Sequence, residues 1–201
     1  MKNTNLNKLI DLRAKVSLGV EISVMDEFFP QYIDTGNGKK NTLKYLLEHT
    51  RHTPRDFIEL MNNIQKVSYQ RGATTDSIKN GIRKYSENYF VGEIEDGLNG
   101  FLTDDEIDMI FRAIRSIGHI NTNMNEIMVE LKIEREKAIQ IMEIMYGAGA
   151  IINVSSNGIM TSKFRNRFSS FDPRQTIRVH SGLVKAFSLA PNNGESGNDD
   201  F

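Results

Sequence analysis

One short segment has glycines and lysines in an order that suggests a phosphate-binding loop, and their spacing tests that interpretation. Residues 36–40 read Gly-Asn-Gly-Lys-Lys ahead of a predicted helix, which is the composition of a phosphate-binding loop. A P-loop also requires an earlier glycine and a hydroxyl after the lysine to bind magnesium. Ile33 and Lys40 occupy those two positions here. The segment is therefore predicted to be a solvated turn, and this chain alone is expected to hold neither ATP nor magnesium.

The sequence also offers few residues in patterns typical of catalysis or metal binding. The sequence has no cysteine, which excludes thiolate nucleophiles, thiolate zinc sites and disulfides. His49 and His52 straddle a predicted helix boundary, so they do not share a rigid face and no metal site is expected. The acidic run at residues 104–106 is explained by the start of a helix. No nucleophile elbow is present, and the sequence does not predict an enzyme.

Composition places the chain among ordinary globular proteins. The 201 residues are 39% hydrophobic and 25% charged, with a net charge of -1. This balance does not by itself direct the chain to nucleic acid or to a membrane surface. No apolar run approaches the length of a membrane span, and the N-terminus lacks the apolar core of a secretion signal. We therefore expect a cytoplasmic protein without a membrane partner.

Residues 103–154 carry the strongest structural pattern. Thr103 and Glu106 form a capping-box signature before an amphipathic helix that Gly118 ends. Asn123 is predicted to cap a second helix, and a third helix begins near Glu134. A strand at residues 151–154, a turn and a return strand follow. Three helices and a hairpin are the order of a winged helix, so the predicted fold is mainly α: a helical bundle followed by a winged helix with a β-hairpin wing.

The predicted domain organisation follows from this pattern. Residues 1–100 are expected to form a helical domain, with glycines 97 and 100 at its end. Residues 101–188 are expected to form the winged-helix domain with a basic wing and a terminal helix. Residues 189–201 are rich in Asn, Gly and Ser and are predicted to be a disordered tail.

Arg55 is the candidate functional residue of the first domain. Thr53, Pro54 and Asp56 make a strong helix start, with threonine as the N-cap and proline in the first turn. Arg55 stands in that turn, where the helix dipole disfavours a cation. One interpretation is a surface arginine that pairs with Asp56 or Glu59. The other is an arginine held for an anionic ligand or a partner subunit.

A basic segment follows the hairpin. Residues 163–187 contain six lysines and arginines and one acidic residue, Asp172, with phenylalanines interleaved. The candidate contacts for nucleic acid or a partner protein are Lys163, Arg165, Arg167, Arg174 and Arg178. The second and third predicted helices are net acidic, so reading of the major groove by the third helix is disfavoured. These cations could instead touch a phosphate backbone or pair with acidic helices of the same chain.

Two stretches resemble a known family. Residues 45–58 read Tyr-Leu-Leu-Glu-His-Thr-Arg-His-Thr-Pro-Arg-Asp-Phe-Ile, and residues 164–168 and 180–187 read Phe-Arg-Asn-Arg-Phe and His-Ser-Gly-Leu-Val-Lys-Ala-Phe. They are similar to segments of bacterial P-loop ATPases of the FunZ type and their signal-transducing relatives. The family pattern there is Leu-Leu-Glu-Arg-Thr, then Arg-Pro-Arg-Asp-Leu-Ile. Thr53 replaces the first arginine of the second motif, and the P-loop and magnesium-binding segments are absent.

The resemblance implies a non-catalytic regulatory or interaction region of a P-loop ATPase, with a lid-like helical domain and a winged helix. An arginine at the position of Arg55 would sense nucleotide, and ATP and magnesium would bind only to a separate P-loop core. The partner would be that core or another protein. The alternative is a winged-helix protein that binds DNA weakly and without sequence preference through its basic wing. The acidic third helix and the Arg55 segment favour the first hypothesis, and the basic segment favours the second.

Overall fold

The computed structural model describes residues 4–36, 38–68 and 72–192. The fold is mainly helical, as predicted, and the described residues also form small antiparallel sheets. The chain divides into two compact units, one ending at Glu87 and one beginning at Asn88. This division lies earlier in the chain than the boundary predicted at residue 100. Within the described ranges, no helix combines the length and apolar character needed to cross a membrane.

The first unit contains five helices and a short hairpin among its described residues. In chain order these are α1 Thr4–Leu18, α2 Val24–Phe28, β1 Tyr32–Asp34, β2 Lys39–Asn41, α3 Thr42–Glu48, α4 Pro54–Val67 and α5 Thr75–Tyr85. The helix start predicted at Thr53 and Pro54 is confirmed, and α4 ends at Val67.

The hairpin corrects the prediction of a solvated turn over residues 36–40. Lys39–Asn41 is a strand that pairs antiparallel with Tyr32–Asp34, and Ile33 lies opposite Lys40. Ile33 is fully buried, which fixes the face of β1 that turns inward. The connecting turn is closed by Thr35, whose amide donates to the Gly38 carbonyl at 3.0 Å. Asn37 lies outside the described residues.

Helices α4 and α5 approach each other closely at Gly81. A Cβ atom at Gly81 would lie 2.6 Å from the Cα of Ile64, which belongs to the α4 backbone. The apolar faces of both helices are buried here, with Phe57, Leu60 and Ile64 on α4 and Ile78 and Ile82 on α5. Glycine is therefore required at position 81 because the neighbouring backbone leaves no room for a methyl group.

The second unit begins within a π-helical turn, Ser86–Phe90. Its elements in chain order are α6 Val91–Leu98, α7 Asp104–Ile117, β3 Asn121–Thr122, α8 Met124–Leu131, α9 Arg135–Ala148, β4 Ile151–Val154, β5 Met160–Thr161, β6 Thr176–Val179 and α10 Ser181–Phe187. The predicted helix–helix–helix–hairpin order of residues 103–161 is thus present. The strand and terminal helix predicted around residues 177–187 are present as well.

The helix ends of this unit form as the sequence predicts. The Glu106 amide donates to the Thr103 hydroxyl at 3.3 Å, and the Thr103 amide donates to the Glu106 carboxylate at 3.0 Å. Gly118 ends α7 in the left-handed conformation with φ 73°. Asn123 caps α8, because its side-chain oxygen accepts hydrogen bonds from the amides of Asn125 and Glu126. Each of these signals acts within a few residues, which is why it can be read without a structure.

The sheet of the second unit has the order β3-β6-β4-β5. The predicted hairpin of β4 and β5 is present, with Asn153 opposite Thr161. Strand β6 inserts between β4 and β3, and Ile151 lies opposite Val179. The predicted tail begins with ordered residues: Ala190 accepts from the Ile120 amide at 3.0 Å and donates to the Gly118 carbonyl at 2.9 Å. Residues 193–201 of that tail lie outside the described residues.

The core of the second unit contains a close contact at α10. The Phe90 ring stacks on His180 with centroids 4.7 Å apart, and both side chains are buried. The His180 ring nitrogen Nδ1 accepts from the Gly182 amide at 3.0 Å and thereby caps α10. A Cβ atom at Gly182 would lie 2.5 Å from the Phe90 ring. Because Gly182 has no side chain, the Phe90 ring can pack against it. The Phe90 ring and the His180 cap together fix the start of α10.

Candidate functional site

The turn between α3 and α4 concentrates buried polar groups. We define the α3–α4 turn as residues 48–56. Glu48, His49, Thr50 and Asp56 are all buried there, each 5% exposed or less. Buried polar groups are costly unless they are hydrogen-bonded, and a buried charge requires a counter-charge. The pairing of these side chains therefore determines what the turn presents outward.

Arg51 and Asp56 form the central interaction of the turn. The Arg51 Nε donates to one Asp56 carboxylate oxygen at 2.9 Å, and a terminal nitrogen donates to the other at 2.8 Å. The Arg51 backbone amide adds a third bond at 3.0 Å. Burial acts to raise the pKa of Asp56, but the hydrogen bonds and charge of Arg51 outweigh it and hold the pKa below its usual value. The result is a bidentate, nearly water-free ion pair.

A second ion pair fixes the start of the turn. Lys40 on β2 lies 2.8 Å from the Glu48 carboxylate at the end of α3, and both side chains are largely shielded from water. The neighbouring His49 ring has its Nδ1 2.8 Å from the Tyr45 carbonyl oxygen and packs edge-on against the Tyr45 ring. The hairpin that the sequence did not predict thus supplies the cation for Glu48.

The turn also holds a residue in an unusual backbone conformation. His52 has φ 59°, in the left-handed region that side chains with a Cβ rarely occupy. Its amide donates to the Thr50 hydroxyl at 3.2 Å, and that hydroxyl donates to the Leu47 carbonyl at 3.0 Å. Thr53 then caps α4 by accepting from the Asp56 amide at 3.1 Å, as predicted. These bonds fix the conformation of the chain between the two helices.

The candidate nucleotide sensor Arg55 lies on the outer side of this turn. Its side chain is exposed in the first turn of α4. The sequence offered Asp56 or Glu59 as a partner of Arg55, and the structure shows that Arg51 donates to both carboxylate oxygens of Asp56. Sequence reasoning missed Arg51 as the structural partner. An arginine five residues before an acid, on the other side of a Thr-Pro helix start, is the signal that could have found it.

The basic candidates of the second unit separate into two groups. Lys163, Arg165 and Arg167 are exposed on one loop between β5 and β6. We define residues 162–169 as the basic loop. Arg174 is also exposed, but its guanidinium makes two hydrogen bonds to the Asp172 carboxylate at 2.9 and 3.0 Å. Those bonds hold the pKa of Asp172 at about 2. The charge of Arg174 is therefore balanced by the neighbouring Asp172.

Arg178 is different, because it lies in the central strand of the sheet. It is 8% exposed, opposite Asn121 on one side and Ile152 on the other. The burial of this strand removes Arg178 from the exposed basic surface on which it was predicted to make contacts. Three consecutive residues of β6, including Arg178, are buried. The sequence alone does not show which strands flank β6, so this burial was not predicted.

The third helix of the predicted winged helix is α9, and one of its cations forms an ion pair within the chain. Lys137 lies 2.9 Å from the Glu106 carboxylate at the start of α7, and this hydrogen bond contributes most to a lowered pKa of Glu106. Arg135 and Glu136 are exposed at the α9 N-terminus. The N-terminal part of α9 thus carries acidic residues, and one of the helix's two cations, Lys137, is paired within the chain.

No metal centre is assembled in the described part of the chain. Among residues 4–36, 38–68 and 72–192, no three His, Asp or Glu side chains are grouped to hold a metal ion. His49 is buried against Tyr45, and His52 lies beyond the end of α3 in the left-handed conformation. The two rings therefore belong to different backbone segments.

Comparison with known proteins adds one finding. Neither a curated protein nor a solved structure matches the chain with significance. Residues 4–91 match the family model of the FunZ-associated C-terminal helical domain, which covers somewhat less than half of the chain and includes the α3–α4 turn. The description names a C-terminal domain, so the matched family occurs as a part of larger proteins. The resemblance to FunZ-associated proteins is thereby confirmed for the helical first part of this chain.

Proposed function

We propose that this chain is the non-catalytic regulatory and interaction region of a P-loop ATPase of the FunZ type. Its first unit acts as a lid-like helical domain, and its second unit acts as a winged helix that binds protein. ATP and magnesium bind to a separate P-loop core. The match over residues 4–91 supports the family assignment, and the FunZ-like motif lies within it.

The observation that carries this proposal is the Arg51–Asp56 pair. Arg51 binds both carboxylate oxygens of Asp56 and so fixes the turn beside Arg55, which is exposed in the first turn of α4. The reversed backbone at His52 and the Thr53 cap fix the direction in which α4 begins. An arginine on a fixed helix start is suited to contact a phosphate, since its guanidinium makes directed, charge-assisted bonds. We assign Arg55 the role of sensing nucleotide bound to the core.

The winged-helix role of the second unit is supported by its element order. A helix, a short strand, two helices and a hairpin follow one another from α7 to β5. The departure from a simple winged helix is β6, which lies between β3 and β4 and extends the sheet. The acidic residues at the start of α9 disfavour contact with a phosphate backbone, so protein binding is the better use of this helix.

The test uses a separately produced FunZ-type ATPase core. Adding the chain should change the rate of ATP hydrolysis by the core, and the chain should bind the core more tightly when ATP is present. Arg55→Ala should weaken that ATP-dependent binding about tenfold or more, because a hydrogen bond to a charged group contributes roughly 1.5–3 kcal/mol. Arg83→Ala, an exposed arginine at the end of α5, is the matched control. Equal binding with and without ATP, or equal effects of both substitutions, would refute the sensing role.

A second candidate function is weak binding of nucleic acid. The observation that favours it is the exposed cluster of Lys163, Arg165 and Arg167 on one loop. Such contacts release counter-ions, so log affinity for a duplex falls with log salt at a slope of about 0.9 per phosphate neutralised. Replacing Arg165 and Arg167 together should flatten that slope by about 2 for every sequence tested. Replacing Arg135 and Lys137 on α9 should change it little, and loss of sequence-selective binding in that variant would instead assign recognition to α9.

A further inference from the structure

The basic loop exposes an aromatic ring as well as its cations. Phe168 is 81% exposed and Phe164 is 40% exposed. Burying a phenylalanine side chain is favourable by roughly 1.5–3 kcal/mol, so a ligand that covered the Phe168 ring would gain part of this free energy.

The loop is held in place by its own hydrogen bonds. The Asn166 amide donates to the Ser162 carbonyl at 3.0 Å, and the Ser169 hydroxyl donates to the same carbonyl at 3.2 Å. The Tyr146 hydroxyl of α9 donates to Ser169 at 2.7 Å. The Phe168 amide donates to the Asn166 side chain at 3.1 Å. A loop closed at both ends and tied to α9 presents Phe168 outward as part of its fold.

Positive charge surrounds this ring. The Arg167 guanidinium lies over the Phe168 ring, with its central carbon 4.7 Å from the ring centroid. Lys163 and Arg165 are exposed on the same loop. Asp172 is the single acidic residue between positions 144 and 194, and Arg174 neutralises it. The loop thus combines an exposed aromatic ring with exposed cationic side chains.

We propose that the basic loop binds single-stranded nucleic acid, with a base stacked on Phe168 and phosphates contacted by Lys163, Arg165 and Arg167. Every base offers a flat face to an aromatic ring, and alternating cations follow the backbone between bases. A duplex offers no such face within its stack, so the exposed ring selects single strands. This inference rests on the nucleic-acid candidate above and adds to it the class of strand and the stacking residue.

The size of the surface favours nucleic acid over a protein partner. A stable protein interface buries about 800 Å² on each side, with an apolar centre of several residues. The basic loop offers one strongly exposed ring among exposed charged side chains, which suits a single base better than a protein surface. An acidic peptide would satisfy the cations but would leave the Phe168 ring without a matching flat face.

The decisive experiment uses labelled oligo(dT), oligo(U) and a duplex of the same length, titrated against the full chain at several salt concentrations. Both single strands should bind more tightly than the duplex. Phe168→Ala should weaken single-strand binding by roughly 5- to 150-fold, since base–aromatic stacking contributes about 1–3 kcal/mol per base. That substitution should leave the salt slope unchanged, whereas Arg167→Ala should flatten it by about 0.7.

Two further variants separate stacking from general effects. Phe101 is 73% exposed in the same unit but is followed closely by acidic residues, so Phe101→Ala should bind like the wild type. The chain contains no tryptophan, so Phe168→Trp introduces a single reporter whose fluorescence a stacked base quenches. Circular dichroism of each variant checks that the fold is intact.

The outcomes distinguish this inference from the function on which it rests. Equal affinity for single strands and duplex, with no effect of Phe168→Ala and no quenching, would overturn the stacking site and leave phosphate contact standing. No binding of any oligonucleotide, even at low salt, would overturn both. A preference for oligo(U) or for oligo(dT) supports the inference and identifies which strand the loop takes.

Discussion

Replacing Arg51 by glutamine isolates the contribution of the buried ion pair to the first unit. Asp56 is fully buried, and the Arg51 guanidinium donates a hydrogen bond to each oxygen of the Asp56 carboxylate. In the variant the carboxylate keeps the backbone amide of residue 51 as a donor, but it loses its counter-charge. The α3–α4 turn is then left with a buried negative charge.

The expected loss is large because burial makes an unpaired charge costly. Removing one partner of a buried pair typically lowers the free energy of unfolding by about 3–5 kcal/mol. The retained backbone hydrogen bond places this case near the lower end, at about 3 kcal/mol. A typical domain has a total stability of roughly 5–15 kcal/mol, so the variant should remain folded with a clearly lower midpoint.

The pH dependence of the free energy of unfolding tests the role of Arg51 independently. In the wild type the folded-state pKa of Asp56 is lowered, so its stabilisation is present above the unfolded-state pKa of roughly 3.9 and is lost as pH falls through the lower folded value. Without Arg51, burial dominates and the pKa of Asp56 should lie above its usual value. Protonation then relieves the buried charge, and the difference between variant and wild type should shrink as pH falls from 7 toward 4.

Urea denaturation at pH 7 and near pH 4.5, with hydrogen exchange of the α4 amides, measures this effect in the first unit. The double variant Arg51→Gln with Asp56→Asn should recover part of the loss, because a neutral amide pair leaves no buried charge. Arg55→Ala should change stability by less than about 0.5 kcal/mol, as expected for an exposed side chain. An Arg51→Gln midpoint equal to the wild type, or a loss that grows toward acid pH, would refute the assignment of Arg51 as the counter-ion.

Three further predictions address the helix start, the helix contact and catalysis. Thr53→Ala should lower the free energy of unfolding by about 1 kcal/mol, the usual effect of a lost N-cap, and an unchanged denaturation midpoint would contradict it. Gly81→Ala should destabilise by about 1–3 kcal/mol because its methyl group meets the α4 backbone, whereas Gly147→Ala on α9, with open space around it, should be neutral or stabilising in the same thermal melts. The chain alone should release no phosphate from ATP above a buffer control, and release abolished by substituting a residue of this chain would disprove the non-catalytic assignment.

Several helix ends are predictable from residue type and spacing alone. Thr53, Thr103 and Asn123 each cap a helix through an amide two or three residues away, and Gly118 ends a helix by its own left-handed conformation. These interactions are local, so residue type and spacing suffice to predict them. The hairpin of β4 and β5 was predictable for the same reason, since a short turn joins its strands.

Which charges are paired and which are exposed depends on contacts between residues far apart in the sequence. Arg51 reaches Asp56 across the turn that contains His52, and Lys40 reaches Glu48 because a hairpin places β2 beside the end of α3. Arg178 and Arg167 are the same residue type in the same basic segment, yet one is buried between two strands and the other lies over an exposed ring. Sequence spacing cannot distinguish these cases, because burial depends on strands and helices that pair across long stretches of chain.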